Sequence, residues 1–267
     1  MELNLLCIGD VVGGPGRRVL QEGLPILVEQ HGVDCVIVNA ENAAAGSGLT
    51  NDLYQKIVRA GAHLITMGDH IFRRKEIIQT LEREENIVKP ANLPAAAPGR
   101  EVAIYQTASG ASVAVVSVLG RMFMKTPVNC PMAAVDRVLA SLPSSLKIIV
   151  VEIHAEATSE KMAMGWHLDG RASVVFGTHT HVPTADEQLL PKGTAYITDL
   201  GMTGPYDSVL GRDKDRVIGA MLTGVPSPFD VATGDPRLCG ILVTVDGSTG
   251  RATRIERVRF DGKEGVA

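Results

Sequence analysis

The feature that most constrains this chain is a unit that recurs along it: a short apolar run that halts and then delivers an acid, an amide or a histidine. Leu3 to Ile8 breaks at Gly9-Asp10, Cys35 to Val38 runs into Asn39-Ala40-Glu41-Asn42, and Leu64 to Met67 ends at Gly68-Asp69-His70. Lys147 to Ile153 ends at His154, and Val174 to Phe176 precedes Gly177-Thr178-His179-Thr180-His181. Apolar runs of this length, bounded by turn residues, read as buried strands. In extended backbone the rings of His179 and His181, spaced i and i+2, would lie on one side. Helical signals fill the gaps: Pro15 can open a helix over Arg17 to Gln30, and Thr50 can cap one through about Ala60 with Leu53, Ile57 and Val58 inward. Strand, ligand-type residue, helix, repeated in this order, predicts an α/β chain.

Beyond Pro90 the pattern changes. Glu101 to Gln106 and Ser112 to Val118 read as antiparallel strands, and the tail as a hairpin of Leu238 to Val245 and Thr253 to Phe260. Helices are expected over Glu76 to Glu85, Ala133 to Leu142 and Glu156 to Asp169, a strand over Thr194 to Thr198, and a loop over Gly201 to Asp215. The expected architecture is two mixed sheets flanked by helices, in one domain spanning residues 1–267, since no repeat or linker interrupts the chain.

Bulk properties narrow the partners. With 45% hydrophobic residues a large core is available, while a net charge of -4 and a pI near 6.0 leave no basic footprint for a stable nucleic-acid complex. No apolar run approaches the roughly 18 residues of a membrane span, and the opening Met-Glu-Leu-Asn lacks a basic leader region, so a cytoplasmic protein is expected. Cys7, Cys35, Cys130 and Cys239 lie far apart and read as reduced thiols.

In α/β sheets ligands bind beyond the carboxyl ends of the strands, where loops converge. Those ends here carry Asp10, Glu41, Asn42, Asp69, His70, His154, His179 and His181, which takes four of the seven histidines. Carboxylates and imidazoles in this number exceed one tetrahedral zinc and suit two transition-metal ions, Fe or Mn first, with Zn or Co as alternatives. Two such ions can hold a phosphate oxygen and activate a bridging hydroxide, so phosphoester hydrolysis follows as the reaction class. Rival motifs fail on their own residues. Gly14-Pro15-Gly16 is followed by Val19 where a dinucleotide fingerprint needs Gly or Ala, and Gly46-Ser47-Gly48 has Ala45 where a nucleophile elbow needs glycine.

The ordered set Gly-Asp, Asn-Ala-Glu-Asn, Gly-Asp-His, Ile-His and Gly-Thr-His-Thr-His resembles the calcineurin-like metallophosphoesterases. It resembles most the bacterial branch of 2′,3′-cyclic-nucleotide 2′-phosphodiesterases, with Glu156 to Lys161 and Gly201 to Asp207 also typical of that branch. The resemblance implies a four-layer fold and two metal ions. Asp10, Asn42 and His181 would bind one, Asp69, His154 and His179 the other, with Glu41 bridging and His70 as proton donor. It implies a small phosphodiester substrate, a cyclic nucleotide opened to the 3′-monophosphate, and family members often form homo-oligomers. Two departures stand out. Asp10-Val11-Val12 lacks the superfamily's Asp-x-His, as the branch does, and Asp69 stands where the family generally has Asn. Alternatives are a phosphomonoesterase or phosphoprotein phosphatase on the same metals, and a metal-bound regulatory protein of weak activity.

Overall fold

Strands that are apolar at every position demand cover on both faces, and the fold supplies it. The computed structural model describes residues 1–263. Its strands are β1 (Glu2–Ile8), β2 (Cys35–Asn39), β3 (Leu64–Thr66), β4 (Ala103–Gln106), β5 (Ser112–Leu119), β6 (Ile148–His154), β7 (Val174–Thr178), β8 (Gln188–Leu189), β9 (Ala195–Ile197), β10 (Gly204–Pro205), β11 (Pro236–Asp246) and β12 (Ala252–Asp261). Its helices are α1 (Gly13–His31), α2 (Asn51–Arg59), α3 (Ile77–Arg83), α4 (Pro131–Ser141), α5 (Thr158–His167) and α6 (Lys214–Thr223).

One sheet runs β10-β11-β1-β2-β3 with β12 on β11, the other β4-β5-β6-β7-β9-β8. Both are mixed: β1, β2 and β3 are parallel, as are β5, β6, β7 and β9, while β11 and β12 close the first sheet and β4 and β8 the second in antiparallel register. Three apolar layers account for the strand composition. Leu5 and Cys7 of β1 point inward to Val115, Val150 and Phe176 of the facing sheet. Leu6 and Ile8 pack outward with Leu20, Leu24 and Ile57 of α1 and α2. On the far side Val151 and Ile153 pack under Val135 and Met164 of α4 and α5. The result is helix, sheet, sheet, helix, as expected from the sequence.

Parallel register then levels the strand ends. Asn39 pairs with Thr66, Leu119 with His154, and His154 with Thr178, so the residues that follow leave the two sheets at one rim. A buried hydrogen bond of 2.6 Å from Asn39 Nδ2 to Glu152 Oε1 ties the sheets together beneath that rim.

Several expectations shift in detail. The first helix starts at Gly13, four residues earlier than read. Helix α2 has its Thr50 cap, the hydroxyl accepting from Leu53 N at 3.3 Å, but buries Tyr54 and Ile57 while Leu53 stays half-buried. The segment read as loop up to Asp215 ends in α6, whose N-terminus Asp213 caps by accepting from Arg216 N at 3.0 Å. The largest difference concerns the paired histidines. Strand β7 stops at Thr178, and His179 and His181 take φ values of 90° and 64°, so they reach the rim through a left-handed turn and not on extended backbone.

Candidate metal centre

Each sequence-read residue lies at the rim, and the structure divides them into a tight group and its neighbours. Glu41, Asp69, His154 and His179 each offer one ligand atom, and these atoms lie within 4.8 Å of one another. His154 Nε2 is 3.1 Å from Asp69 Oδ1 and 3.3 Å from Glu41 Oε1. Asp10, Asn42 and His181 sit alongside: Asn42 Nδ2 donates to Glu41 Oε1 at 3.1 Å and is 3.3 Å from His181 Nε2, which is 3.9 Å from Asp10 Oδ1. As a ligand Asn42 would offer Oδ1, which here lies 2.7 Å from His70 Nδ1; a half-turn of the amide exchanges its oxygen and nitrogen and brings the oxygen beside Glu41 and His181.

The donor set fits metal ions on three observations. First, each imidazole is held from behind. His154 Nδ1 donates to Thr178 Oγ1 at 2.9 Å, and that hydroxyl donates onward to Glu152 Oε1 at 2.6 Å. His179 Nε2 lies 3.2 Å from Glu156 Oε2, and His181 Nδ1 donates to Leu210 O at 3.1 Å. The remaining ring nitrogens face inward, with His154 Nε2 and His179 Nδ1 only 3.1 Å apart. An outer partner that fixes tautomer and ring orientation is the usual companion of metal-ligating histidine. Second, Asp10 is fully buried and its Oδ1 has no hydrogen-bond partner, a cost that a bound cation removes. Third, a Cβ on Gly68 would lie 2.3 Å from Glu41 Oε2 and 2.4 Å from His154 Nε2, so only glycine leaves this space open.

The electrostatics agree. Burial opposes charge on His154, but Glu41 and Asp69 outweigh it and hold its proton well above the usual imidazole range. Burial also pulls the Asp69 carboxyl up, yet the bonds with His154 and His179 win and keep it far below the ordinary range; Glu41 is lowered for the same kind of reason. Burial raises Asp10. Metal binding to such a group displaces the imidazole proton.

Above the group opens a cavity of about 300 Å³ whose wall includes Glu41, His70, Glu156, His179, Leu210 and Arg212. The guanidinium of Arg212 is anchored to Ala45 O at 3.3 Å and Phe229 O at 3.2 Å, and it also bonds Gly46 O. Sequence reasoning missed Glu152, Thr178 and Arg212. Glu152 had a signal, an acid inside the apolar run of β6; Arg212 had none, since it arrives on an irregular segment.

Two mixed sheets between helices, with Asp, Glu and His donors gathered at the strand ends, define the metallophosphoesterase class of phosphoric ester hydrolases. Within that class the chain belongs to the YmdB-like proteins, whose family model matches residues 6–258. A 2′,3′-cyclic-nucleotide 2′-phosphodiesterase of Bacillus subtilis is 45% identical over 256 residues, covering 96% of each chain. Among solved structures, a phosphatase of Mycoplasma pneumoniae superposes with a TM-score of 0.91 at 31% identity, covering 98% of this chain and 94% of that one. A hypothetical protein of Thermus thermophilus also reaches 0.91, at 41% identity over 98% of this chain and all of that one.

Proposed function

We propose that this protein is a dimetal phosphodiesterase that opens 2′,3′-cyclic nucleotides to 3′-monophosphates. The observation that carries the reading is the group Glu41, Asp69, His154 and His179, of which Glu41 and His179 line a small cavity, beside the unpartnered Asp10 Oδ1. At about 300 Å³ the cavity is at the small end of ligand sites and suits a single nucleotide, not a strand. The 45% identical relative named for this reaction supports the choice of substrate.

Asp10, Asn42 and His181 are the ligands we assign to one ion, Asp69, His154 and His179 to the other, with Glu41 shared. When bound, two divalent ions of Fe or Mn type supply an activated hydroxide and stabilise the charge developing on phosphorus. The chain's own residues do the rest. Thr178 and Glu152 hold His154, and Glu156 holds His179, with their inward nitrogens free of protons. Arg212 keeps a cation on the cavity wall for the phosphate. His70 is held by its own N–H donating to Glu41 Oε2 at 2.9 Å and by the Asn42 amide 2.7 Å from Nδ1, which donates an Nδ2 hydrogen there once its oxygen turns to the metal side. Its Nε2 then remains to give a proton to the departing 2′ oxygen as the phosphorus–oxygen bond breaks, a contribution typically worth about 10² to 10⁴ in rate.

A single domain carries this site, because each sheet contributes ligands to it. No described helix is long and apolar enough to cross a membrane, and we place the enzyme in the cytoplasm. The test is hydrolysis of 2′,3′-cyclic AMP with and without Mn²⁺, beside His70→Ala. Metal-dependent release of 3′-AMP, lost in the variant with metal still bound, is expected. Preference for p-nitrophenyl phosphate would instead favour a phosphomonoesterase, and no turnover with metal bound would favour a regulatory role.

A further inference from the structure

Lys161 and Asp199 form an ion pair that the chemistry above does not use. Their side chains are 1% and 0% exposed, and Lys161 Nζ donates to Asp199 Oδ2 at 2.7 Å. A buried pair of this kind is weak evidence for stability, since well-packed apolar residues often do as well. What distinguishes this one is the third member. The same Asp199 Oδ2 accepts from Thr180 Oγ1 at 2.6 Å and from Thr180 N at 3.2 Å, and Lys161 Nζ lies 3.3 Å from the Thr180 hydroxyl. Asp199 is itself held, its Oδ1 accepting from Gly201 N at 2.8 Å.

Thr180 is the residue between the two histidines, and both of those stand in left-handed backbone, with φ of 90° at His179 and 64° at His181. Such a conformation costs free energy in a residue other than glycine and persists where surrounding contacts over-determine it. The contacts here converge on Thr180, while His179 N donates to Asp10 Oδ2 at 3.2 Å on one side and Met202 N to His181 O at 3.1 Å on the other. The glycine of Gly-Thr-His-Thr-His admits both neighbours: a Cβ on Gly177 would lie 1.8 Å from Thr198 O and 2.8 Å from Lys161 Cδ, so its absence lets the Thr198 backbone and the lysine stem pack against β7.

We propose that Lys161, Asp199 and Thr180 are positioning residues that set the separation of His179 and His181, and through it the separation of the two metal ions. The inference rests on the dinuclear reading above, in which His179 serves one ion and His181 the other. The intervening residue is then a spacer with a defined anchor, and its hydroxyl is the link that can be cut without leaving a charge unpaired in the core.

For that reason the test uses Thr180→Val and Thr180→Ala, not the loss of Asp199, which would strand the buried Lys161 and threaten folding. Mn²⁺ affinity and stoichiometry are measured by calorimetry, and the spin coupling of the Mn²⁺ pair by electron paramagnetic resonance, with metal-free melting temperatures as the folding control. Thr180 orients His179 and His181 through the backbone it shares with them, and loss of an outer contact that orients a metal ligand typically weakens metal affinity about 10- to 100-fold. That loss is expected in both variants, together with replacement of the coupled-pair spectrum by mononuclear signals, and Thr180→Ser should restore both readouts. Unchanged affinity and coupling in Thr180→Val and Thr180→Ala would overturn the inference, as would a Thr180→Ser variant no better than they are. A parent protein that takes up no Mn²⁺ would overturn the dinuclear reading itself and this inference with it.

Discussion

Asp69→Asn is the substitution whose outcome the geometry constrains most. Asp69 Oδ1 lies 3.1 Å from His154 Nε2 and 3.6 Å from His179 Nδ1, and its ligand atom falls within 4.8 Å of that of Glu41. An ion seated among these four atoms would lie no farther from Asp69 than the 4.8 Å that spans the group, where each unit of its charge is attracted by about 3.5 kcal/mol at an effective dielectric of about 20. Asp69 retains 16% side-chain exposure, so solvent screens part of this and the amide keeps an oxygen for coordination. A loss of about 1.4 to 2.8 kcal/mol in metal binding remains, roughly ten- to a hundredfold in dissociation constant. The effect on turnover has the opposite sign. On the proposed two-ion reading, with Asp10, Glu41 and Asp69 ionised, two divalent ions would keep a single net positive charge; with a neutral amide in place of the Asp69 carboxylate they would keep two, and pull harder on phosphate. Calorimetric Mn²⁺ titration and the rate on 2′,3′-cyclic AMP at saturating metal should therefore show weaker binding and faster turnover. Identical values in both assays, or tighter metal binding by the variant, would refute the charge argument.

Three further outcomes follow from the same contacts. Thr178→Val breaks the relay from His154 Nδ1 to Glu152 and should weaken metal affinity about 10- to 100-fold, read by titration, and lower the metal-free melting temperature by roughly 2 to 10 °C, since it leaves buried polar atoms short of a partner. Chelation should lower the melting temperature of the metal-loaded protein by roughly 5 to 10 °C, since a ligand at about 100 times its dissociation constant adds about 2.7 kcal/mol to the folded state. Burial raises the Asp186 carboxyl, but hydrogen bonds with Thr184 and Thr198 outweigh it and hold the acid below its ordinary value. The stability this gives is complete above the unfolded pKa of about 3.9 and is lost as pH falls through the lower folded value. Melting temperatures of metal-free protein between pH 5 and 3 should accordingly fall less in Asp186→Asn than in the parent.

The strands were legible because each is covered on both faces, which leaves an unbroken apolar run; β1 shows it, with Leu5 and Cys7 inward and Leu6 and Ile8 outward. Helix α6 was not legible for the converse reason. It buries Val217 but leaves Met221 77% and Leu222 81% exposed, so no inward stripe marks it. Strands β8 and β10 are two residues each, too short for any period to register. At the site, the gathering of the candidate ligands at one rim was readable and its geometry was not. His-Thr-His in a strand would place two rings on one side by alternation, whereas here left-handed turns do it, and nothing in a histidine announces a positive φ. Asp199 follows β9 in the same strand-then-acid pattern as Asp10 and Asp69, yet its carboxylate turns to Lys161 and Thr180. A strand-end acid signals a rim, and only the fold says whether it faces the metals or holds a residue that does.

That distinction explains which part of the centre is local in sequence. Candidate ligands stand within a few residues of a strand end, and parallel register makes those ends level, so a scan of strand termini finds them. Their supports come from distant segments: Glu152 meets Asn39 across the sheets, Leu210 reaches His181, and Lys161 crosses under β7 to Asp199. Glu41 and Asp69 issue from one sheet and His154 and His179 from the other, so the tight group is itself a contact between the two halves of the sandwich. Three of its four members are ionised or hold a proton against burial when no cation is bound, and each pulls on a group from the opposite sheet. Glu41 and Asp69 from one sheet and His154 and His179 from the other would hold a metal between the sheets at the rim, as the Asn39–Glu152 hydrogen bond joins them just below it. Metal loss should accordingly be felt as loosened packing between the sheets, with hydrogen exchange rising first at the ends of β2, β3, β6 and β7 and least along the hairpin of β11 and β12.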